Sequence, residues 1–168
     1  LVGKLLVNLL PLMVFTLGEE YGWRSFLQRR LEAHFGVRRG ILWTAVIWAY
    51  FHLGIFLLDA GEVHPVTYWL GALVIAPAGL TAVGIFFGWL YHRSGSLMVV
   101  VVAHTTNNKW GQIPRTYLEQ PQDETGMMIV ATLILAAVGV LFYRWMPLVE
   151  PVAGSSESSS GAGTTLSP

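Results

Sequence analysis

Glu19, Glu20, Arg24, His52 and His104 are ionisable side chains set inside or at the end of strongly apolar stretches, with Asn108 one helical turn beyond the last. A titratable group in such a stretch is costly, so each demands a partner or a task. Glu20 and Arg24 are four apart, in the acid-before-base order that favours an ion pair on one helix face, whereas Glu19 points about 100° away. That pairing would neutralise Glu20 and leave Glu19 free. His104 and Asn108 share a face by the same spacing. A carboxylate base, an imidazole to orient water and donors for a developing oxyanion are what peptide hydrolysis requires, and no nucleophilic side chain is needed.

Three separate apolar elements carry these groups. Counted at 1.5 Å per residue from the arginine-rich or polar ends of their segments, Glu19 lies roughly 15 Å deep, His52 roughly 18 Å and His104 roughly 12 Å. The similar depths predict one convergent site. Plainer readings exist for each position alone: a solvated acidic pair at a helix end, a single His bonded to a neighbouring helix, an interhelical hydrogen bond for His104 with Asn108. Together they require a coincidence of depth on three helices. His34, His64 and His92 read as solvated or interfacial. Trp43, Trp48, Tyr50, Trp69, Trp89, Tyr91 and Trp145 read as interfacial anchors or packing.

The elements that must position these residues are membrane segments. The 168 residues are 54% hydrophobic and only 12% charged, about half the ~25% charge of an ordinary soluble domain. The expected fold is all-α, a polytopic transmembrane helix bundle with about five membrane segments. Spans of near-bilayer length lie at 1–17, 41–58, 66–91 and 127–146, given the ~20 apolar residues a crossing needs. The fourth segment starts as an apolar run at 96–103 and then turns polar at His104, so its polar half must be shielded by protein. Arginines at 29, 30, 38, 39, 93 and 144 place the first and third loops on the cytoplasmic side, with 59–65 and 109–125 opposite. Gly71, Gly79, Gly84 and Gly88 fit close helix packing.

Lys and Arg number 10 and so do Asp and Glu, so no net field draws the chain to nucleic acid, which is not an expected partner. With no Cys, thiolate chemistry is excluded and any metal must use His and carboxylate ligands. The opening apolar run, beginning at Leu1, lacks a basic n-region and a small-residue cleavage site and does not read as a signal peptide. The expected organisation is one domain over 1–150, truncated at its N-terminus, and a disordered Ser/Gly-rich tail over 151–168.

Glu19-Glu20-Tyr21-Gly22-Trp23-Arg24 matches an E-E-x-x-x-R motif, Trp48-Ala49-Tyr50-Phe51-His52 matches F-x-x-x-H with Trp for Phe, and His104-Thr105-Thr106-Asn107-Asn108 matches H-x-x-x-N. In this order, on successive apolar helices, the three motifs resemble the CPBP family of intramembrane proteases, which includes type II CAAX prenyl endopeptidases and bacteriocin-processing or immunity relatives. The resemblance implies an endopeptidase in which Glu19 with His52 activates water, His104 with Asn108 holds the oxyanion, and Glu20 with Arg24 keeps Glu19 placed. It implies a peptide or protein substrate, CAAX-type and lipidated or a leader peptide, met in the lipid bilayer. It also implies a multi-pass protein of a prokaryotic plasma membrane with its site toward the cytoplasm. The family is often labelled metalloprotease, and Glu19, His52 and His104 could supply three ligands to a divalent ion such as zinc with an open water position. There is no H-E-x-x-H, the family also has metal-free glutamate-dependent members, and the balance leans to no tightly bound metal. A non-catalytic scaffold or immunity protein of the same fold is the alternative. A proton-coupled transporter using these groups as a relay is a third reading.

Overall fold

The computed structural model describes residues 9–54, 66–117 and 124–146, with side chains described at 9–54, 66, 69–109 and 129–146. Among them all regular structure is helical. The elements are α1 (Leu9–Glu20), a π-helical stretch π1 (Tyr21–Gln28), α2 (Arg29–Phe35), α3 (Val37–Phe51), α4 (Val66–Leu70), a second π stretch π2 (Gly71–Ile75), α5 (Ala76–Ser94), α6 (Leu97–Tyr117) and α7 (Glu124–Trp145). Residues 1–8, 55–65, 118–123 and 147–168, which include the expected loop at 59–65 and the expected tail, lie outside the described residues; of the loop expected at 109–125, the part to Tyr117 is helical and continues α6, and Glu124 opens α7.

The chain reverses between α2 and α3 at Gly36, whose φ of 80° no side-chain-bearing residue adopts cheaply. Its N–H closes on the Glu32 carbonyl and ends α2. Gly95, at φ 64°, ends α5 in the left-handed conformation, its N–H on the Tyr91 carbonyl.

Helix α5 is the centre of the bundle, packed against α3 on one side and α7 on the other. Small residues permit the approach. A Cβ at Gly84 would stand 2.9 Å from the Ala45 methyl, one at Gly88 2.9 Å from Ile41, and one at Gly139 would collide with the Ala82 methyl. The packing expected of Gly79, Gly84 and Gly88 is therefore present; Gly71 has open space around it. Ile41, Ala45, Ile85 and Met146 form one core cluster and Trp48, Phe87, Tyr91 and Val100 the other. Arg38 closes the first from the side: its guanidinium donates to the carbonyls of Tyr143 (2.6 Å) and Met146 (3.1 Å), which satisfies the open end of α7 and fastens it to α3.

Among the described residues, one helix is long and apolar enough to cross a bilayer: the 24 residues Gly71–Ser94, with mean hydropathy 2.0. It covers most of the third expected span. Ile129–Trp145, within the last expected span, is a shorter apolar helix. The all-helical fold is as expected, while the count of five crossings has support from this one helix only. His92, expected in a loop, is instead in the last turn of α5, its Nδ1 3.9 Å from Glu32.

Candidate active site

A ladder of polar side chains runs down one side of the first long helical unit. Thr16, Glu20, Arg24 and Gln28 are all fully buried, and Glu32 follows four residues later, partly buried. In a continuous α-helix, residues four apart drift about 40° around the axis at each step, so Gln28 would have left the face that Thr16 occupies. The π stretch has wider turns, in which four residues fall short of a full turn. Passing from α1 through π1 to α2 thus cancels the drift and holds the ladder against α5. There, Gln28 Nε2 donates to the Gly88 carbonyl (2.9 Å) and to Glu32 Oε1 (2.7 Å), and an Arg24 Nη1 lies 3.5 Å from the Gly84 carbonyl.

Glu20 is the junction of two motifs. Its Oε2 accepts from Arg24 Nε at 2.7 Å, and its Oε1 meets His104 Nδ1 at 2.7 Å across 84 residues of sequence. Glu20 and Arg24 have no solvent exposure, and His104 has 2%. A carboxylate with one oxygen on a guanidinium and the other on an imidazole has its charge spent on fixed partners, and in a buried setting such a constellation stands or falls together.

The second motif enters through Trp48. Its indole stands edge-on to His52 (ring centroids 4.6 Å apart) and to His104 (5.5 Å), and the Arg24 guanidinium carbon lies 5.8 Å from its centroid. The Trp48 carbonyl accepts a 2.7 Å bond from His52 Nδ1. Phe87 of α5 stacks at 5.1 Å against the other side of the His104 environment. Trp23 and Phe51 meet edge to face at 5.3 Å, linking π1 to the end of α3.

The tautomers follow from these bonds. An Nδ1–H donating to a carbonyl leaves His52 Nε2 with a lone pair; an Nδ1–H donating to the Glu20 carboxylate leaves His104 Nε2 as the nitrogen facing away from that anchor. His104 can donate from Nε2 at the same time only when both ring nitrogens carry a proton.

Of the residues singled out by sequence, Glu20, Arg24 and His104 are brought into direct contact, and His52 is joined to them through Trp48. Glu19 is half-buried, acts on Arg24 through its charge, and has no hydrogen-bond partner among the described residues. Asn108 is half-buried one turn below His104, also with no hydrogen bond to a described residue. Among the described residues, no group of three or more His, Asp or Glu is disposed to hold a metal ion. Glu19, His52 and His104 thus do not form the zinc-like set, and no step below is routed through a metal. Sequence reasoning missed Gln28 and Glu32, because an α-helical period puts them on another face, and it took Trp48 for an anchor or packing residue.

Glu32 lies beyond the apolar segments, at the arginine-rich end. Partial burial raises its carboxyl above the ordinary value, against the opposing pull of the Gln28 hydrogen bond and of the charges on His92 and Arg29. A raised folded-state value means the folded protein holds the proton more tightly than the unfolded chain. Its contribution to stability is therefore present at acid pH and is lost as pH rises through that raised value. Glu32→Gln keeps an acceptor for Gln28 and removes the titration. Melting temperature followed between pH 4 and 7 should decline less in E32Q than in the parent, and equal slopes would remove Glu32 from this role.

Glu20, Arg24 and His104, with His52 joined to them through Trp48, form one polar cluster inside an apolar helical bundle. The chain belongs to the Rce1-like family of type II CAAX prenyl endopeptidases, whose family model matches residues 2–110. The match includes all three motifs and bears out the resemblance to the CPBP proteases; this is a membrane-associated peptidase family. Comparison with curated proteins and with solved structures gave no match. Helix α7 lies outside the matched range.

Proposed function

We propose that this protein is a multi-pass intramembrane endopeptidase that hydrolyses a peptide bond in a membrane-associated protein or peptide, CAAX-type or leader-like, on the cytoplasmic side of the bilayer. The observation that carries this reading is the Glu20–His104 bond at 2.7 Å with Arg24 on the second carboxylate oxygen. It supports the reading because it ties the first and third motifs into one buried unit, and that unit distinguishes the two acids. Glu20 is committed to two partners. Glu19 remains the carboxylate able to take a proton from water.

In this mechanism Glu19 accepts a proton from the attacking water while the bare Nε2 of His52 accepts the water's second hydrogen bond and orients it. Attack on the scissile carbonyl develops an oxyanion. His104, anchored through Nδ1 on Glu20, donates Nε2–H to that oxygen when both its ring nitrogens carry a proton, and the Asn108 amide supplies a second donor. Collapse of the tetrahedral species expels the amine, which takes its proton from Glu19. Arg24 keeps Glu20 in place through its 2.7 Å bond, so its part is to hold His104.

The main competing reading is a scaffold or immunity protein that binds peptide without turnover. Reconstituted in liposomes and offered membrane-anchored reporter peptides, the protein should generate new peptide termini detectable by mass spectrometry. Saturable binding with no new termini would leave the scaffold in possession.

A further inference from the structure

We propose that Trp48 is a positioning residue whose indole sets the orientation of both site imidazoles, an assignment that rests on the hydrolytic reading for its effect on rate. The motif to which Trp48-Ala49-Tyr50-Phe51-His52 corresponds carries Phe at the first position, so the indole is this chain's own departure. Trp48 is the largest fully buried side chain among the described residues, 1% exposed, and it touches both imidazoles and the arginine of the site. One ring edge meets His52 at an interplanar angle of 73°, and the ring meets His104 at 83°. The same ring lies near the Arg24 guanidinium and edge-on to Phe87, 6.1 Å away.

Edge-to-face contacts favour a definite ring orientation. His104 receives its orientation from Glu20 through one nitrogen, which leaves rotation about the Nδ1 bond axis to be set by packing. Trp48 and Phe87 supply that packing. For His52 the anchor is the carbonyl of Trp48 itself, and the indole fixes the plane in which His52 Nε2 lies. The fold makes room for the larger ring at Gly84, where a Cβ would come within 3.2 Å of the Trp48 ring carbon Cε3.

One further feature makes the proposal testable. The indole Nε1 is buried and has no hydrogen-bond partner among the described residues. Trp48→Phe therefore deletes ring edge without breaking a hydrogen bond, and puts at position 48 the residue the motif carries elsewhere. A loss of function in W48F then reads on geometry.

The experiment uses the full chain in lipid nanodiscs, labelled with nitrogen-15 at the histidine ring nitrogens, together with turnover of a membrane-anchored reporter peptide. In W48F, kcat should fall roughly 10-fold with KM nearly unchanged, as expected for misplaced groups. The pH profile of kcat should shift, and the His52 and His104 ring signals should move, with His52 losing its single Nδ1–H tautomer. Helix content should be unchanged. Trp48→Leu, which keeps an apolar side chain but removes the flat ring, should do the same more strongly. Wild-type ring signals in W48F, or wild-type turnover and pH profile, overturn the proposal. Displaced ring signals in a protein that cleaves no peptide uphold the positioning role and sink the hydrolytic reading instead, so the two failures are distinguishable.

Discussion

Glu20→Ala should cost the protein about 3–5 kcal/mol of stability, the effect of removing one member from a buried charged set, and abolish turnover at the same time. The deletion strands the Arg24 guanidinium, which is fully buried and whose remaining hydrogen bond among the described residues is the long contact to the Gly84 carbonyl. It also releases His104 from its 2.7 Å anchor. Glu20→Gln should be nearly as damaging, because an amide presents one acceptor oxygen where the carboxylate presents two and has no charge to offset Arg24. Chemical denaturation in detergent micelles measures the first effect and reporter cleavage the second. A stable, active E20A would mean that the buried triad neither holds the bundle nor the imidazole.

Glu19→Ala should behave oppositely. Its side chain is half-buried and without a hydrogen-bond partner among the described residues, so its loss should leave denaturation curves within about 0.5 kcal/mol of the parent. Loss of the base should lower kcat by about 10²–10⁴-fold. Adjacent residues of like charge and like size would thus separate cleanly, one structural and catalytic at once, the other catalytic alone. Full activity in E19A would transfer the base to another group.

This division of labour was partly visible in the sequence. The four-residue spacing of Glu20 and Arg24 called for the ion pair that the structure contains, and apolar runs of helical length called for a bundle without strands. The pairing of His104 was not visible. Depth along a helix can be counted from its ends, but the direction in which a side chain points depends on the turn geometry between, and π1 changes that geometry between Glu20 and Arg29. The same stretch hides Gln28 and Glu32, whose places on the ladder appear only when the wider turns are known. Trp48 was legible as a motif departure but not as the ring that both imidazoles lean on, because its neighbours come from π1, α5 and α6. Arg38 read as a topogenic charge, and its role in closing the end of α7 needed the fold.

The ladder also explains why the polar site can exist within an apolar bundle. The rungs bond along the ladder and to carbonyls exposed where α5 has glycine, Arg24 to Glu20 and toward Gly84, Gln28 to Glu32 and Gly88, while Thr16 donates to the Leu12 carbonyl of its own helix and Arg24 Nη2 and Gln28 Oε1 stay without a hydrogen-bond partner among the described residues. Glycines there serve two ends, close packing against α3 and access of side chains to backbone oxygen.

Hydrolysis of a reporter peptide in water enriched in oxygen-18 puts the central claim to the most direct test. If Glu19 and His52 deliver water straight to the scissile carbonyl, a single turnover will place one heavy oxygen in the new C-terminal carboxylate, and E19A will form labelled product about 10²–10⁴-fold more slowly. Unlabelled termini, or label appearing equally with E19A, would contradict the account.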